Sequence, residues 1–200
     1  MIKRICILFL VAFLVWGCDE NITLSKNDFV QWVENPKNGC IKVKELNNIS
    51  LTSFYKPPVY IALKKESNTS TTSDSLEKQV DALSFWYTFT FRIQSNTNLH
   101  PLENGNNSTQ DYFKKLEYYI NASKDFKLIV NNTDTLECAI YHMERNYGGA
   151  PYIDINLAFK RITENKENYT LLFLDRVFSN GLIKFNYKGN ETKYLPKYVL

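Results

Sequence analysis

From Lys124 to the C-terminus, β-branched and aromatic runs alternate with short polar turns, and this pattern limits the fold more than any other feature. FKLIV, TLECAIYHMER, YIDINLAFKRI, YTLLFLDRVF and LIKFNYK follow one another, punctuated by Asn131-Asn132, Gly148-Gly149 and Ser179-Asn180-Gly181. Such runs suit a pleated, half-buried surface, and connections this short join neighbouring antiparallel strands. The succession predicts an antiparallel meander that closes into a sandwich or a half-open barrel. The expected class is α+β, mostly β, with one or two short helices.

The N-terminal half is more mixed. In SKNDFVQWVENPKNG, Ser25 or Asn27 can cap a short helix that places Phe29, Trp32 and Val33 on one side. Pro36 and Asn38-Gly39 then end it with turn chemistry. CIKVKEL and ISLTSFY flank Asn47-Asn48 and read as a hairpin, which Pro57-Pro58 stops. Residues 59–64 fit a strand or a helical turn equally well. The polar run ESNTSTTSDS at 66–75 has nothing to bury and reads as an exposed loop. SFWYTFTFRI at 84–93 has the content of a central strand, and an exposed Phe85, Trp86 and Tyr87 would form a partner surface. In TQDYFKKLEYYI, Tyr112, Phe113, Leu116, Tyr119 and Ile120 recur at helical spacing behind a cap at Ser108 or Thr109. No repeat and no shift in composition divides the chain, so residues 28–200 are expected to form one domain behind a tether at 18–27.

Charge narrows the partners. Lys and Arg total 24 and Asp and Glu 21, and removal of Lys3 and Arg4 with a leader would leave the remainder near neutrality. No stretch clusters positive charge as phosphate binding requires, so nucleic acid is disfavoured. Cys40 and Cys138 are the cysteines beyond the first eighteen residues. An oxidising exterior would permit a bridge between them, contributing about 4–5 kcal/mol in the chain-entropy model. Two buried thiols behaving as small hydrophobes are the alternative.

The first twenty residues, MIKRICILFLVAFLVWGCDE, carry a targeting pattern. Lys3 and Arg4 precede an uncharged apolar run from Ile5 to Trp16. At about twelve residues it matches the core of a secretory signal and falls short of a membrane span. Val15-Trp16-Gly17-Cys18 resembles the lipobox of bacterial lipoproteins, with bulky Trp16 departing from the small residue usual there. The resemblance implies cleavage after Gly17 and acylation of Cys18 as the new N-terminus. Two or three acyl chains would hold the domain at a membrane, since one alone binds marginally. Asp19 and Glu20 resemble retention and surface-export signals that point to different membranes, so neither membrane is chosen.

The densest group of chemically capable side chains is ECAIYHMERNYGGAP at 137–151. As one strand it would place Cys138, Ile140, His142 and Glu144 on one face. Cys138 and His142 would then lie about 13 Å apart, too far for a nucleophile and its base. His142 and Glu144, about 6.6 Å apart, could share a metal, but a catalytic zinc site needs a third protein ligand. A histidine satisfied beside a glutamate is the plainer reading. Arg145 opens a turn through Gly148-Gly149 and could offer its donors to a ligand or brace the turn. Phe54 to Tyr60 together with Cys138 to Tyr147 is similar to uncharacterised lipoproteins of Bacteroidetes-type bacteria, which implies a shared fold and location without an activity. Asn-x-Ser/Thr triplets are frequent, and Asp74-Ser75-Leu76 and Asp134-Thr135-Leu136 resemble the O-glycosylation triplet of that group.

Together these features predict a lipid-anchored envelope protein that binds or scaffolds an envelope protein or glycan. No complete catalytic set, cofactor motif or metal-ligand set is recognised. The rival expectation is a metal-dependent or hydrolytic enzyme centred on His142 and Glu144.

Overall fold

The computed structural model describes residues 23–46, 48–66, 73–97, 99–106, 108–144, 150–162, 168–189 and 195–199. The leader, Gly17, Cys18 and Arg145 lie outside these residues, as does the Gly148-Gly149 pair. Among the described residues, eleven strands and four α-helices make the protein α+β and mostly β; nine of the strands form two antiparallel sheets packed face to face, and the other two pair with each other. The sheets are open, so the sandwich is realised and the barrel is not.

The five-stranded sheet has the order β2 (Ile41–Leu46), β3 (Ile49–Lys56), β4 (Trp86–Ser95), β8 (Tyr152–Lys160), β7 (Ile140–Met143). The four-stranded sheet runs β10 (Gly181–Tyr187), β9 (Tyr169–Asp175), β5 (Phe126–Val130), β6 (Asp134–Glu137). Along β4, Tyr87, Phe89, Phe91 and Ile93 are fully buried while the residues between them face outward. Period-two alternation makes the aromatics of SFWYTFTFRI the centre of the core. Phe91 meets Phe126, Phe173 and Phe185 of the other sheet, with ring centroids 5.1, 4.9 and 5.8 Å away. The Tyr187 hydroxyl donates to Ser53, whose Oγ lies 2.6 Å and carbonyl 2.8 Å from it, so these buried polar groups are satisfied.

The expected strand TLECAIYHMER is two strands. β6 belongs to the four-stranded sheet and β7 to the five-stranded one, and Cys138-Ala139 is the crossing between them. Two small residues let the chain change sheets at the rim of the sandwich. The Ser-Asn-Gly turn holds as predicted. Asp175 there accepts from the N–H groups of Val177, Phe178 and Asn180, while Gly181 takes a φ of 69° that favours glycine. On edge strand β2, Lys42 and Lys44 sit over the rings of Tyr187 and Phe185, covering the side of the core with charges that resist edge pairing.

Helix α1 (Lys26–Glu34) is capped by Ser25 and buries Phe29 and Val33. Residues 23–27, expected within the tether, instead form β1 (Thr23–Ser25) and the first turn of α1; β1 pairs in parallel with β11 (Lys197–Val199). Helices α2 (Pro58–Glu66) and α3 (Ser73–Ser84) exceed the one or two helices expected. Pro58 occupies the first turn of α2, where its missing N–H has no helical partner to lose. Ser73 to Ser75, expected in a loop, open α3, and buried Leu76 takes the Asp74-Ser75-Leu76 triplet into that helix. A second core joins these helices through Phe29, Val33, Cys40, Tyr60, Ala62, Leu63 and Leu76, and packs on Phe54 of β3. Helix α4 (Thr109–Asn121), capped by Ser108, buries Tyr119 but leaves Phe113 and Ile120 mostly exposed.

Candidate functional site: the outer face of the five-stranded sheet

The residues that point away from the sandwich core line up in cross-strand rows. Phe54, Thr90, Asn156 and His142 are successive partners in one row. Thr52, Arg92 and Asp154 form the next, and the Glu144 N–H donates to the Asp154 carbonyl at 2.8 Å. Lys56, Thr88, Ala158 and Ile140 form a third, and Trp86 pairs with Lys160 beyond it. Phe54 lies under the helical layer, so that layer walls one side of an otherwise polar surface.

Two networks fix this surface. The Thr90 hydroxyl donates to Asn156 Oδ1, and Asn156 Nδ2 donates to Glu144 Oε1, both at 2.7 Å. Arg92 donates through Nε and Nη2 to the two oxygens of Asp154, each at 2.7 Å, and its guanidinium stacks 3.7 Å from the Tyr152 ring centre. The Asp154 side chain is only 12% exposed. Desolvation offsets most of the attraction in such a pair, so it contributes little net stability while holding its geometry firmly. Hydrogen bonding to Asp154 raises the Arg92 pKa. Lys56 is half-buried beside Phe54, and burial lowers its pKa even though Glu144 and Asp154 pull the other way.

His142 and Glu144 share this face, as the alternation predicted, and Asn156 is the residue that links their surroundings. Asn156 faces His142 across the strands and bonds to Glu144, which gives the carboxylate an amide partner. Cys138 leaves that face, because it sits in the sheet crossing and packs against the main core. Its thiol donates to the Ile140 carbonyl at 3.1 Å, and burial pushes its pKa up to about 11, which disfavours the thiolate at neutral pH. Cys40 lies in the helical core and Cys138 at the rim of the other, and no disulfide joins them. No three His, Cys, Asp or Glu side chains among the described residues converge on a metal position. Of the expected aromatic patch, Phe85 is 67% exposed and Trp86 faces outward, but Tyr87 is wholly in the core, since alternation sends it to the opposite side.

Lys56, Thr90, Arg92, Asp154 and Asn156 were not anticipated. Their signal lies in the strand pattern: an arginine inside TFTFRI and an aspartate inside YIDINLAF each imply a partner, and only the β4–β8 register identifies it. No protein-family description matches the chain, and no curated protein does. The chain is similar to a crystal structure of a protein of unknown function from Burkholderia pseudomallei K96243. That similarity has 10% identity and a TM-score of 0.39, over 87% of this chain and 94% of the other.

Proposed function

We propose that this protein is a lipid-anchored module of the bacterial cell envelope that recognises an envelope protein or glycan and catalyses no reaction. Acyl chains on Cys18, after cleavage behind Gly17, would hold the domain at a membrane. The lipobox resemblance and the similarity to lipoproteins of Bacteroidetes-type bacteria support this placement. No helix among the described residues is long and apolar enough to cross a membrane. The outer face of the five-stranded sheet is the recognition surface in this reading.

The observation that carries it is the pair of networks Thr90–Asn156–Glu144 and Arg92–Asp154. Locked planar donors and acceptors on an open sheet face suit recognition, because their orientation is set before a ligand arrives. A photo-crosslinking residue placed at exposed Gln94 on this face should capture an envelope component in intact cells. The same residue at Leu182, exposed on the four-stranded sheet, should not. Equal capture from both positions, or none from Gln94, overturns the recognition face. Labelled palmitate should enter the protein and be lost in Cys18→Ser; unaltered membrane fractionation of that variant overturns the anchor. Stoichiometric bound metal that disappears in His142→Ala would return the enzyme reading.

A further inference from the structure

The edges of the two sheets are not guarded alike. β2 carries Lys42 and Lys44, β10 carries Lys184 at its centre, and β6 carries Asp134 and Glu137 at its two ends. Charges so placed resist pairing with a foreign strand. β7 has none: Ile140-Tyr141-His142-Met143 contains no Lys, Arg, Asp or Glu, and no further strand lies beside it among the described residues. The Glu144 N–H bonds to Asp154 of β8, so alternation turns the N–H and C=O groups of Tyr141 and Met143 to the open side. The strand is held firmly from within. Tyr141 and Met143 pack on the main core, and the Tyr141 hydroxyl donates to the Tyr119 carbonyl of α4.

We propose that β7 is the interface for a second copy of this chain, pairing antiparallel with its counterpart about a twofold axis at His142. In that register both outward residues bond within the length of the strand. Tyr141 exchanges backbone hydrogen bonds with the partner's Met143, and Met143 does so with the partner's Tyr141. The two five-stranded sheets become one continuous sheet. On the outer side His142 meets the partner's His142, and half-exposed Ile140 lies against the partner's Glu144. On the inner side Tyr141 lies beside the partner's Met143. No like charges meet, because the two Glu144 residues stand about 13 Å apart along the strands. So few backbone bonds cannot offset the ordering of a free peptide, which loses entropy at every residue it fixes. A second β7 arrives already ordered by its own core. The pairing stands without the recognition reading, and it sets two outer faces side by side.

A join of one short strand buries well under the roughly 800 Å² per partner of a stable complex, so the pair is weak and crosslinking is its readout. The test oxidises thiols in intact cells producing the full chain and identifies disulfide-linked dimers by mass. His142→Cys should give at least about tenfold more dimer than the unsubstituted chain or Gln94→Cys. Its Cα would lie about 4.5 Å from its counterpart across a non-hydrogen-bonded pair, within reach of a disulfide. Ile140→Cys and Glu144→Cys chains produced together should link to each other, and this pair replaces His142→Cys should that variant misfold by circular dichroism. Adding His142→Lys to both chains of that pair should lower the yield at least about tenfold. His142→Lys in one chain and His142→Glu in the other should restore it. No excess dimer from either design, equal dimer from Gln94→Cys, linkage to a different protein, or a yield unmoved by His142→Lys overturns the interface. Photo-capture at Gln94 reads the recognition face separately, so the two readings fail independently.

Discussion

The two faces of the five-stranded sheet are built from the same strands, yet they obey different physics. On the inner face, Tyr87, Phe89, Phe91 and Ile93 meet the aromatics of the opposing sheet, and burying them drives folding. On the outer face, Thr88, Thr90 and Arg92 alternate with those residues; Thr90 bonds to Asn156, and Arg92 pairs with Asp154 in an attraction largely offset by desolvation. The inner face explains why the protein folds. The outer face holds an ion pair whose net contribution to folding is small, and it is the face on which the proposed recognition rests.

The comparison breaks most visibly at Phe91. Phe91→Ala should cost about 3–5 kcal/mol in urea denaturation, because it leaves a cavity among three rings of the facing sheet. A loss as small as that of a surface substitution would mean the two sheets do not share one core. Breaking the outer pair with Arg92→Ala should cost about 1–3 kcal/mol, because a largely buried carboxylate then loses its partner. Replacing both members, with Arg92→Met and Asp154→Leu, should recover most of that stability, and a double variant as unstable as the single one would make the pair structural. On the inner side, Tyr187→Phe should cost about 1–2 kcal/mol by leaving Ser53 without its buried donor.

Lys56→Met should have the smallest effect and the opposite sign. Burial lowers the lysine pKa in the folded protein, so folding disfavours its charged form. The resulting penalty is complete below the folded-state pKa and vanishes above the unfolded value of 10.5. Removing the ammonium should therefore raise the melting temperature by a few degrees at most at pH 7, and the gain should fade as the pH rises towards 10.5. A lower melting temperature at pH 7 would mean that Lys56 stabilises the fold instead.

Strand content, the antiparallel pairing of β2 with β3, the Ser25 and Ser108 caps and the aromatic centre of β4 were all legible, because each depends on local periodicity or turn chemistry. The extra helices were harder to read. Val59, Tyr60 and Ile61 favour strands in isolation, and the contacts of Tyr60 with Phe54 and Glu34 exist only in the folded chain. In α3, Leu76, Val80 and Leu83 carry a helical period, but the polar run before them masked its start. The division of 134–143 between two sheets had no local sign, since both halves read equally as strand.

The sequence by itself determined which residues alternate between core and solvent, because side chains on a strand change face at every step. It also placed His142 and Glu144 on one side of their strand. Only the tertiary structure decided that Cys138 belongs elsewhere and that Asn156 stands between His142 and Thr90 in one row. It likewise decided that Arg92 and Asp154, 62 positions apart, form one pair. Strand register brings those partners together, and register is set by long-range packing of whole sheets, which no short stretch of sequence contains.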